Sequence, residues 1–241
     1  MLVKLEDPSL FSKAIEVLSE LVTEARIKVN EFGMSIAAID PANVAMVMLK
    51  IPKSAFSQFE AENEILGINL DSLKRILRRC GSRTPLILER KENFLNIQIM
   101  DRIKRNFSLN LIEVERQEKE MPTLDYSSRI EISSSDLVSA IEDCIIVSDA
   151  CSFIISQGGF IVEAKGLNSA RSEFSGDEAK IEAEECKSKY SLEYLIKFMK
   201  GAKLCEKTIL QFANDHPLKM DIKTEHIELN FLLAPRVETE D

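Results

Sequence analysis

The chain has 241 residues, a formal charge of −9 and 45% hydrophobic residues. That length accommodates two domains of roughly 100–120 residues each, and no apolar run approaches the roughly 20 residues of a membrane span. The acidic balance excludes a uniformly DNA-binding surface, so any contact with nucleic acid has to come from local segregation of charge. Five widely spread cysteines, Cys80, Cys144, Cys151, Cys186 and Cys205, form no CxxC pair. They argue against a disulfide framework or a zinc site and for reduced thiols in a cytosolic protein. The start, Met1-Leu2-Val3-Lys4-Leu5-Glu6-Asp7, has no signal-peptide h-region.

The first predicted element is a helix at 12–22. Phe11, Ala14, Ile15, Leu18 and Val22 face one way, and Lys13, Glu16 and Glu20 the other. Residues 26–30 alternate, Glu31-Phe32-Gly33 turns and 34–39 returns, which is a hairpin pattern. Residues 44–51 read as a further strand. A helix follows at 70–80, with Leu73, Ile76, Leu77 and Cys80 on one face. Lys74, Arg75, Arg78 and Arg79 occupy the opposite face within an arc of roughly 140°. Asp71 starts this helix, where a carboxylate favours the dipole, and Gly81 stops it. Four cations with no anion among them suit contact with phosphates; the alternative is a plain solvated face.

Strands are predicted at 85–89, 94–100 and 106–114. A charged stretch then runs from Val114 to Pro122 and reads as an exposed connector. Beyond it the same elements recur, and internal repeats outrank local motifs. A helix at 135–145 turns Leu137, Ala140, Ile141 and Cys144 inward and Asp136, Ser139, Glu142 and Asp143 outward, so its polar face is acidic. A hairpin at 151–164 turns at Gln157-Gly158-Gly159. A helix at 191–202 has Leu192, Leu195, Ile196, Phe198 and Met199 on its apolar side, and Lys197, Lys200 and Glu193 on its polar side. Lys203 sits just past its end. Strands at 209–212, 218–223 and 227–233 close the chain. Many short strands with two helices per half predict an α+β fold with antiparallel sheets. The domains are expected at 1–117 and 127–241, with a connector at 118–126.

Catalytic constellations are missing from the sequence. His216 and His226 are the only histidines, and neither accompanies a nucleophile motif. There is no P-loop, GxGxxG, HExxH or GxSxG. The expectation is a protein with no catalytic residues, no metal and no cofactor; the competing reading is an enzyme of duplicated α+β fold whose residues converge only in space.

The ordered motifs resemble those of an archaeal sliding clamp of the proliferating cell nuclear antigen family, along essentially the whole chain. Glu31-Phe32-Gly33-Met34-Ser35-Ile36-Ala37-Ala38-Ile39-Asp40 resembles the family's first hairpin, and Asn69-Leu70-Asp71-Ser72-Leu73-Lys74-Arg75-Ile76-Leu77 its basic helix. Met121-Pro122 and Tyr126 resemble the end of its interdomain connector. Pro217-Leu218 precedes the penultimate strand. Leu232-Leu233-Ala234-Pro235-Arg236 resembles its terminal Leu-Ala-Pro followed by a basic residue.

The resemblance implies a ring of three two-domain subunits with pseudo-sixfold symmetry, helices lining the hole and sheets outside. Head-to-tail contacts close into a ring when the rotation allows. Duplex DNA would pass through without sequence preference, facing Lys13, Lys74, Arg75, Arg78, Arg79, Lys197, Lys200 and Lys203. The subunit junction would join Phe107, Leu109 and Leu111 of one chain to Arg171 and Phe174, near 169–174, of the next; the other reading of Phe107 is a residue of its own core. DNA polymerase, clamp loader, flap endonuclease and ligase would dock short peptide motifs. Their surface would comprise Ile39, Asn43, Val44, Met46, Met121, Pro122, Tyr126, Pro217, Leu233, Ala234 and Pro235. No membrane is involved, and the implied location is cytoplasmic and nucleoid-associated. A subunit of a heterotrimeric or checkpoint-type clamp is the alternative. Departures from the family pattern are Glu142 and Asp143, where many relatives are basic, Ala42 and Asn43 at the pocket rim, and Lys119 in the connector.

Overall fold

The duplication expected from the sequence appears in the order of elements. In the computed structural model, which describes residues 1–81, 83–114 and 120–237, the first half runs β1 (Leu2–Leu5), α1 (Ser9–Leu18), β2 (Glu24–Asn30), β3 (Gly33–Ile39), β4 (Ala45–Pro52), β5 (Gln58–Glu60), β6 (Glu64–Asn69), α2 (Leu70–Leu77), β7 (Leu86–Lys91), β8 (Phe94–Met100) and β9 (Lys104–Asn110). The second half repeats that order as β10 (Ser128–Ser133), α3 (Ser134–Ile145), β11 (Ala150–Ser156), β12 (Gly159–Lys165), β13 (Ser169–Phe174), β14 (Ala179–Ala183), β15 (Cys186–Ser191), α4 (Leu192–Ala202), β16 (Lys207–Phe212), β17 (Leu218–Lys223) and β18 (Glu228–Leu233).

Pairing repeats as well. In the first half β5-β1-β7-β8-β9 form one run and β4-β3-β2-β6 another; in the second, β14-β10-β16-β17-β18 and β13-β12-β11-β15. The registers are antiparallel, as in Leu2↔Glu89 of β1 and β7 and Ile130↔Leu210 of β10 and β16. Strand for strand, β1 answers to β10, β5 to β14 and β9 to β18, so each half is a copy of one α+β fold. The chain divides into a first compact unit of Met1–Pro41, Val47–Met121 and Thr224–Leu229, and a second of Ala42–Met46, Pro122–Lys223 and the chain from Asn230 on.

Each unit has its own core, for the reasons its periodicity gives. In the first, α1 buries Phe11, Ala14, Ile15, Val17 and Leu18, and α2 buries Leu70, Leu73 and Leu77. They meet the inward positions of the strands, such as Ile27 of β2 and Ile97 of β8. Each such side chain contributes about 1.5–3 kcal/mol by leaving water. In the second unit aromatic rings dominate. Phe153 lies edge-on to Phe160 and Tyr190, each 5.4 Å away, and Phe198 stacks on Phe231 at 4.3 Å. The hairpin turn at Gln157-Gly158 takes left-handed backbone at both residues (φ 52 and 77), which matches the twist of the flanking strands.

The path of the chain just after β9 is fixed by one glycine. After β9, Leu111 N–H donates to the Asn93 carbonyl (2.8 Å) and Ile112 N–H to the Gly67 carbonyl (2.9 Å). The chain therefore leaves the strand at Asn110 and runs along β6. A Cβ on Gly67 would stand 2.0 Å from the Ile112 carbonyl oxygen, so only glycine admits this approach. The Arg26 guanidinium donates to the Val114 carbonyl and holds the end of this segment down.

Several sequence expectations change in detail. Helix α1 starts at Ser9, earlier than expected. Helix α2 ends at Leu77 with Arg78 as its right-handed C-cap, so Gly81 does not stop it. Its N-cap is Asn69, whose side chain accepts from Ser72 N–H, a role the sequence reading missed. Strands β1, β5, β6, β10, β14 and β15 were not anticipated. Lys119 and the first residues of the connector lie outside the described residues.

Candidate functional site

The expected DNA-facing cations sit on the paired helices or just past their ends, and the structure gives several of them partners. In the first unit the Glu16 carboxylate pairs with Arg78, the C-cap of α2. In the second, the Glu142 carboxylate lies 3.1 Å from Lys203, the C-cap of α4. Both acids end an Ala-Ile-Glu triplet, at 14–16 and 140–142. Each copy thus ties its first helix to the end of its second with the same ion pair. The sequence reading missed these links because the partners stand 62 and 61 residues apart; the repeated triplet was the available signal.

The other cations divide similarly. Lys74 is largely shielded and 2.8 Å from Asp71, whose carboxyl it holds below its ordinary value by hydrogen bonding. Arg75 donates to the Asp71 carbonyl oxygen at 3.3 Å. Lys197 lies 3.2 Å from Glu193 and 5.0 Å from the Tyr194 ring. Lys13 and Arg79 are exposed and form no ion pair among the described residues, and Lys200 is exposed on α4. Exposed pairs such as Glu16–Arg78 contribute only about 0–1 kcal/mol, so a phosphate can compete for the cation. On α3, Asp136, Ser139, Glu142 and Asp143 are all exposed, as the periodicity required.

For the partner surface, the second unit brings together some of the expected residues. Ala234 N–H donates to the Val44 carbonyl at 2.9 Å. Tyr126 stands edge-on to His216, the residue before Pro217, at 5.5 Å. Burial and the nearby Asp221 push the Tyr126 phenol up to about 12, and its hydroxyl is buried without a hydrogen-bond partner among the described residues. Asn43 and Pro122 are exposed, while Pro217, Ala234 and Pro235 are half-buried.

Two residues are corrected. Leu233 is 0% exposed and Met46 6% exposed, so both are core rather than pocket wall. In β18 the inward set is Leu229, Phe231 and Leu233, which leaves Leu232 as the half-buried outward leucine. Around Met46 alternation fails, because Ala45, Met46 and Val47 are all buried.

In the first unit Ile39 is half-buried at the end of β3. Met121 helps to line a groove of about 340 Å³ with Arg26, Lys28, Met48, Lys50 and Glu120. The cations of that groove were not singled out in the sequence. Their positions, alternating with the buried residues of β2 and β4, mark the outward faces of those strands.

Of the expected junction residues, Phe107 and Leu109 lie on β9 and Arg171 and Phe174 on β13, each the last strand of its run. Phe107 faces Ile97 and Leu109 faces Leu95 across the β8–β9 register. Phe107 is half-buried and Leu109 nearly buried. Leu111 lies beyond the strand, because the chain has already turned towards β6. On β13, Arg171 is exposed and bridges Glu173 (2.5 Å) and Glu163 (3.0 Å). Phe174 is buried and stacked on Phe160 at 5.8 Å, which makes it a core residue of its own unit first. Among the described residues no three metal-binding side chains cluster, and no helix is long and apolar enough to cross a membrane.

Comparison with known proteins bears on the family of the chain. Residues 1–120 match the family described as proliferating cell nuclear antigen, N-terminal domain, and residues 120–237 match its C-terminal domain. The chain is 39% identical over 237 residues to a DNA polymerase sliding clamp of Thermococcus onnurineus, covering 95% of each chain. It is 37% identical over 238 residues to the DNA polymerase sliding clamp of Pyrococcus furiosus, again covering 95% of each. Among solved structures, the antigen of Thermococcus kodakaraensis superposes with a TM-score of 0.91 at 26% identity, covering 98% of this chain and 99% of that one. That of Entamoeba histolytica shares the fold with a TM-score of 0.91 at 24% identity, covering 98% of each.

Proposed function

Because the chain belongs to the proliferating cell nuclear antigen family, we propose that it is a DNA sliding clamp. It performs no chemistry. Three subunits close head-to-tail through β9 of one and β13 of the next, and duplex DNA runs through the ring past the paired helices. Diffuse contacts to phosphates hold the duplex without reading its sequence and permit sliding. The acidic surface elsewhere repels DNA and leaves the contact to the cations of α1, α2 and α4, which reconciles a charge of −9 with a DNA-bound role.

The observation that carries this reading is the duplicated helix pair. Each copy builds the same two helices, ties them with the same Glu-to-C-cap ion pair and carries exposed cations on or just past the second of them, Arg75 and Arg79 in the first copy and Lys200 and Lys203 in the second. The clamp tethers a polymerase, and by the same means a clamp loader, flap endonuclease and ligase. Their short peptide motifs engage Ile39 and Met121 of the first unit and Asn43, Val44, Pro122, Tyr126, Pro217, Ala234 and Pro235 of the second, with 118–126 as the connector. Tethering raises the partner's effective concentration at the DNA. The protein acts in the cytoplasm, on the nucleoid. Native mass spectrometry tests the assembly: a species near three times 27.2 kDa supports the homotrimer. A monomer that assembles only with a paralogue replaces it with a mixed ring, and a stable dimer sinks the ring.

A further inference from the structure

Two of the cysteines meet in the core of the second unit. Cys144 is the last residue but one of α3, and Cys151 the second residue of β11. Both are free thiols, each 1% exposed. Helix α3 packs against β11, and Cys144 lies on its buried side with Leu137, Ala140 and Ile141. The connection between them folds back tightly. Val147 and Ser148 N–H groups donate to the Cys144 carbonyl, and Ala150 N–H donates to the Ser148 hydroxyl at 3.4 Å. The two sulfurs are in hydrogen-bond contact, the Cys151 S–H donating to Cys144. That bond lowers the proton affinity of Cys144, against burial and the nearby Asp143 and Glu163 carboxylates. The same bond, and then burial, raises that of Cys151 well above the usual thiol range. Cys144 is therefore the sulfur more readily deprotonated, and the thiolate is the nucleophile of a thiol.

The duplication shows that this contact is particular to the second copy. Leu21 and Val22 N–H groups donate to the Leu18 carbonyl as those of Val147 and Ser148 do to Cys144, so Leu18 answers to Cys144. Ala25, the second residue of β2, answers to Cys151. Leu18 and Ala25 are buried, at 0% and 2% exposed. An apolar pair fills the same place in the first copy, so packing alone does not call for sulfur at both positions.

We propose that Cys144 and Cys151 form a reversible dithiol–disulfide switch, closed by a hydroperoxide and opened by a dithiol reductant, which pins the end of α3 to β11. The Cys144 thiolate attacks a peroxide oxygen. The O–O bond breaks, the sulfur is oxidised to a sulfenic acid, and the departing oxygen takes a proton to leave as an alcohol or water. The Cys151 sulfur then attacks the sulfenic sulfur. The S–S bond forms, the S–O bond breaks, and the hydroxide leaves as water with the Cys151 proton. Two thiols and one hydroperoxide thus give one disulfide, one water and one alcohol or second water. The oxidant reaches the pair by fraying of the last turn of α3, where Ile145 and Ile146 are already exposed. The inference goes beyond the clamp reading and does not depend on it, since the chain alone carries both thiols.

No lysine or arginine lies between Arg129 and Lys165, so trypsin leaves Cys144 and Cys151 together on peptide 130–165, apart from the other three cysteines. The full chain is treated with hydrogen peroxide, alkylated in denaturant, digested and weighed. Peptide 130–165 is expected to be unalkylated and about 2 Da lighter than its dithiol form, and dithiothreitol is expected to reverse this. The unfolding temperature is expected to rise on oxidation and to return on reduction. Cys144→Leu with Cys151→Ala, the pair of the first copy, is expected to abolish both changes. Cys80→Ser with Cys205→Ser, which removes the two less buried thiols, is expected to leave both in place. In Cys151→Ser, dimedone is expected to label Cys144, because the sulfenic acid has no thiol to resolve it. Peptide 130–165 still alkylated after peroxide, oxidation confined to the other cysteines, sulfinic acid in place of the disulfide, or an oxidised chain no more stable than the reduced one each overturns the proposal.

Discussion

Replacing Arg75 and Arg79 together by glutamate is expected to weaken DNA binding by an amount that salt can measure. Of the four cations on and after α2, Lys74 is occupied by Asp71 and Arg78 by Glu16. Arg75 and Arg79 are the exposed ones without an ion pair among the described residues. Each phosphate that is no longer neutralised lowers the slope of log affinity against log salt by about 0.9, so the pair lowers it by about 1.8 per engaged subunit. Over a fourfold rise in salt that difference amounts to about one decade in affinity. Because both side chains are exposed, thermal stability should change by no more than about 0.5 kcal/mol. Arg78 is left in place, since Arg78→Glu would set two carboxylates against each other across α1 and α2. The converse variant, Glu16→Gln, releases Arg78 and is expected to raise the slope by up to about 0.9. Equilibrium binding of a duplex across a potassium chloride series reads both effects. A slope unchanged in Arg75→Glu/Arg79→Glu, or lowered in Glu16→Gln, refutes the assignment of this helix pair to the DNA.

Other outcomes follow from the fold. Gly67→Ala forces the Ile112 carbonyl away from a Cβ it would meet at 2.0 Å; steric displacement and the breaking of one hydrogen bond should cost about 2–4 kcal/mol in denaturant unfolding, and a neutral result shows that the 111–114 path is not fixed there. Phe107→Ala with Leu109→Ala removes apolar surface from β9 and should move trimer dissociation to higher protein concentration in a sedimentation dilution series; an unchanged midpoint places the junction elsewhere. The Glu163 carboxyl is held below its ordinary value of 4.5 chiefly by hydrogen bonding to Lys165, then to Arg171. A carboxyl depressed on folding contributes stability that is present above about pH 4.5 and is lost as pH falls through the lowered value. Glu163→Gln should therefore flatten the acid side of the stability–pH curve, and an unchanged curve shows that these pairs do not form in solution.

Much of the architecture was legible in the sequence because burial writes a period into each element. The hairpins at 24–39 and 150–165 stood out through alternation and turn residues, and the helices through their apolar stripes. Of the missed strands, β1 and β5 are short, with 4 and 3 residues, whereas β10 alternates fully through Arg129-Ile130-Glu131-Ile132 and was legible. In β15, Ser188 stands on the buried face where an apolar residue would signal a strand; its hydroxyl there donates to the His216 carbonyl. Strand β6 is interrupted by Gly67, whose reason is a chain segment 45 residues away. For the site, spacing located the cations but not their partners, since Glu16–Arg78 and Glu142–Lys203 are long-range pairs. Leu233 was misread because a terminal motif marks a position in the chain and not the side of the strand, which parity with Leu229 and Phe231 sets.

The central claim, that closed rings of this chain surround DNA, is tested most directly by topological retention. The protein is loaded with a clamp loader onto a nicked circular plasmid, the complex is separated from free protein, and half of it is cut once by a restriction enzyme. Retention on the circle with loss from the linear form, at a bound mass near three times 27.2 kDa, is the predicted result. Equal retention on both forms means that the protein holds DNA at its surface and contradicts the ring.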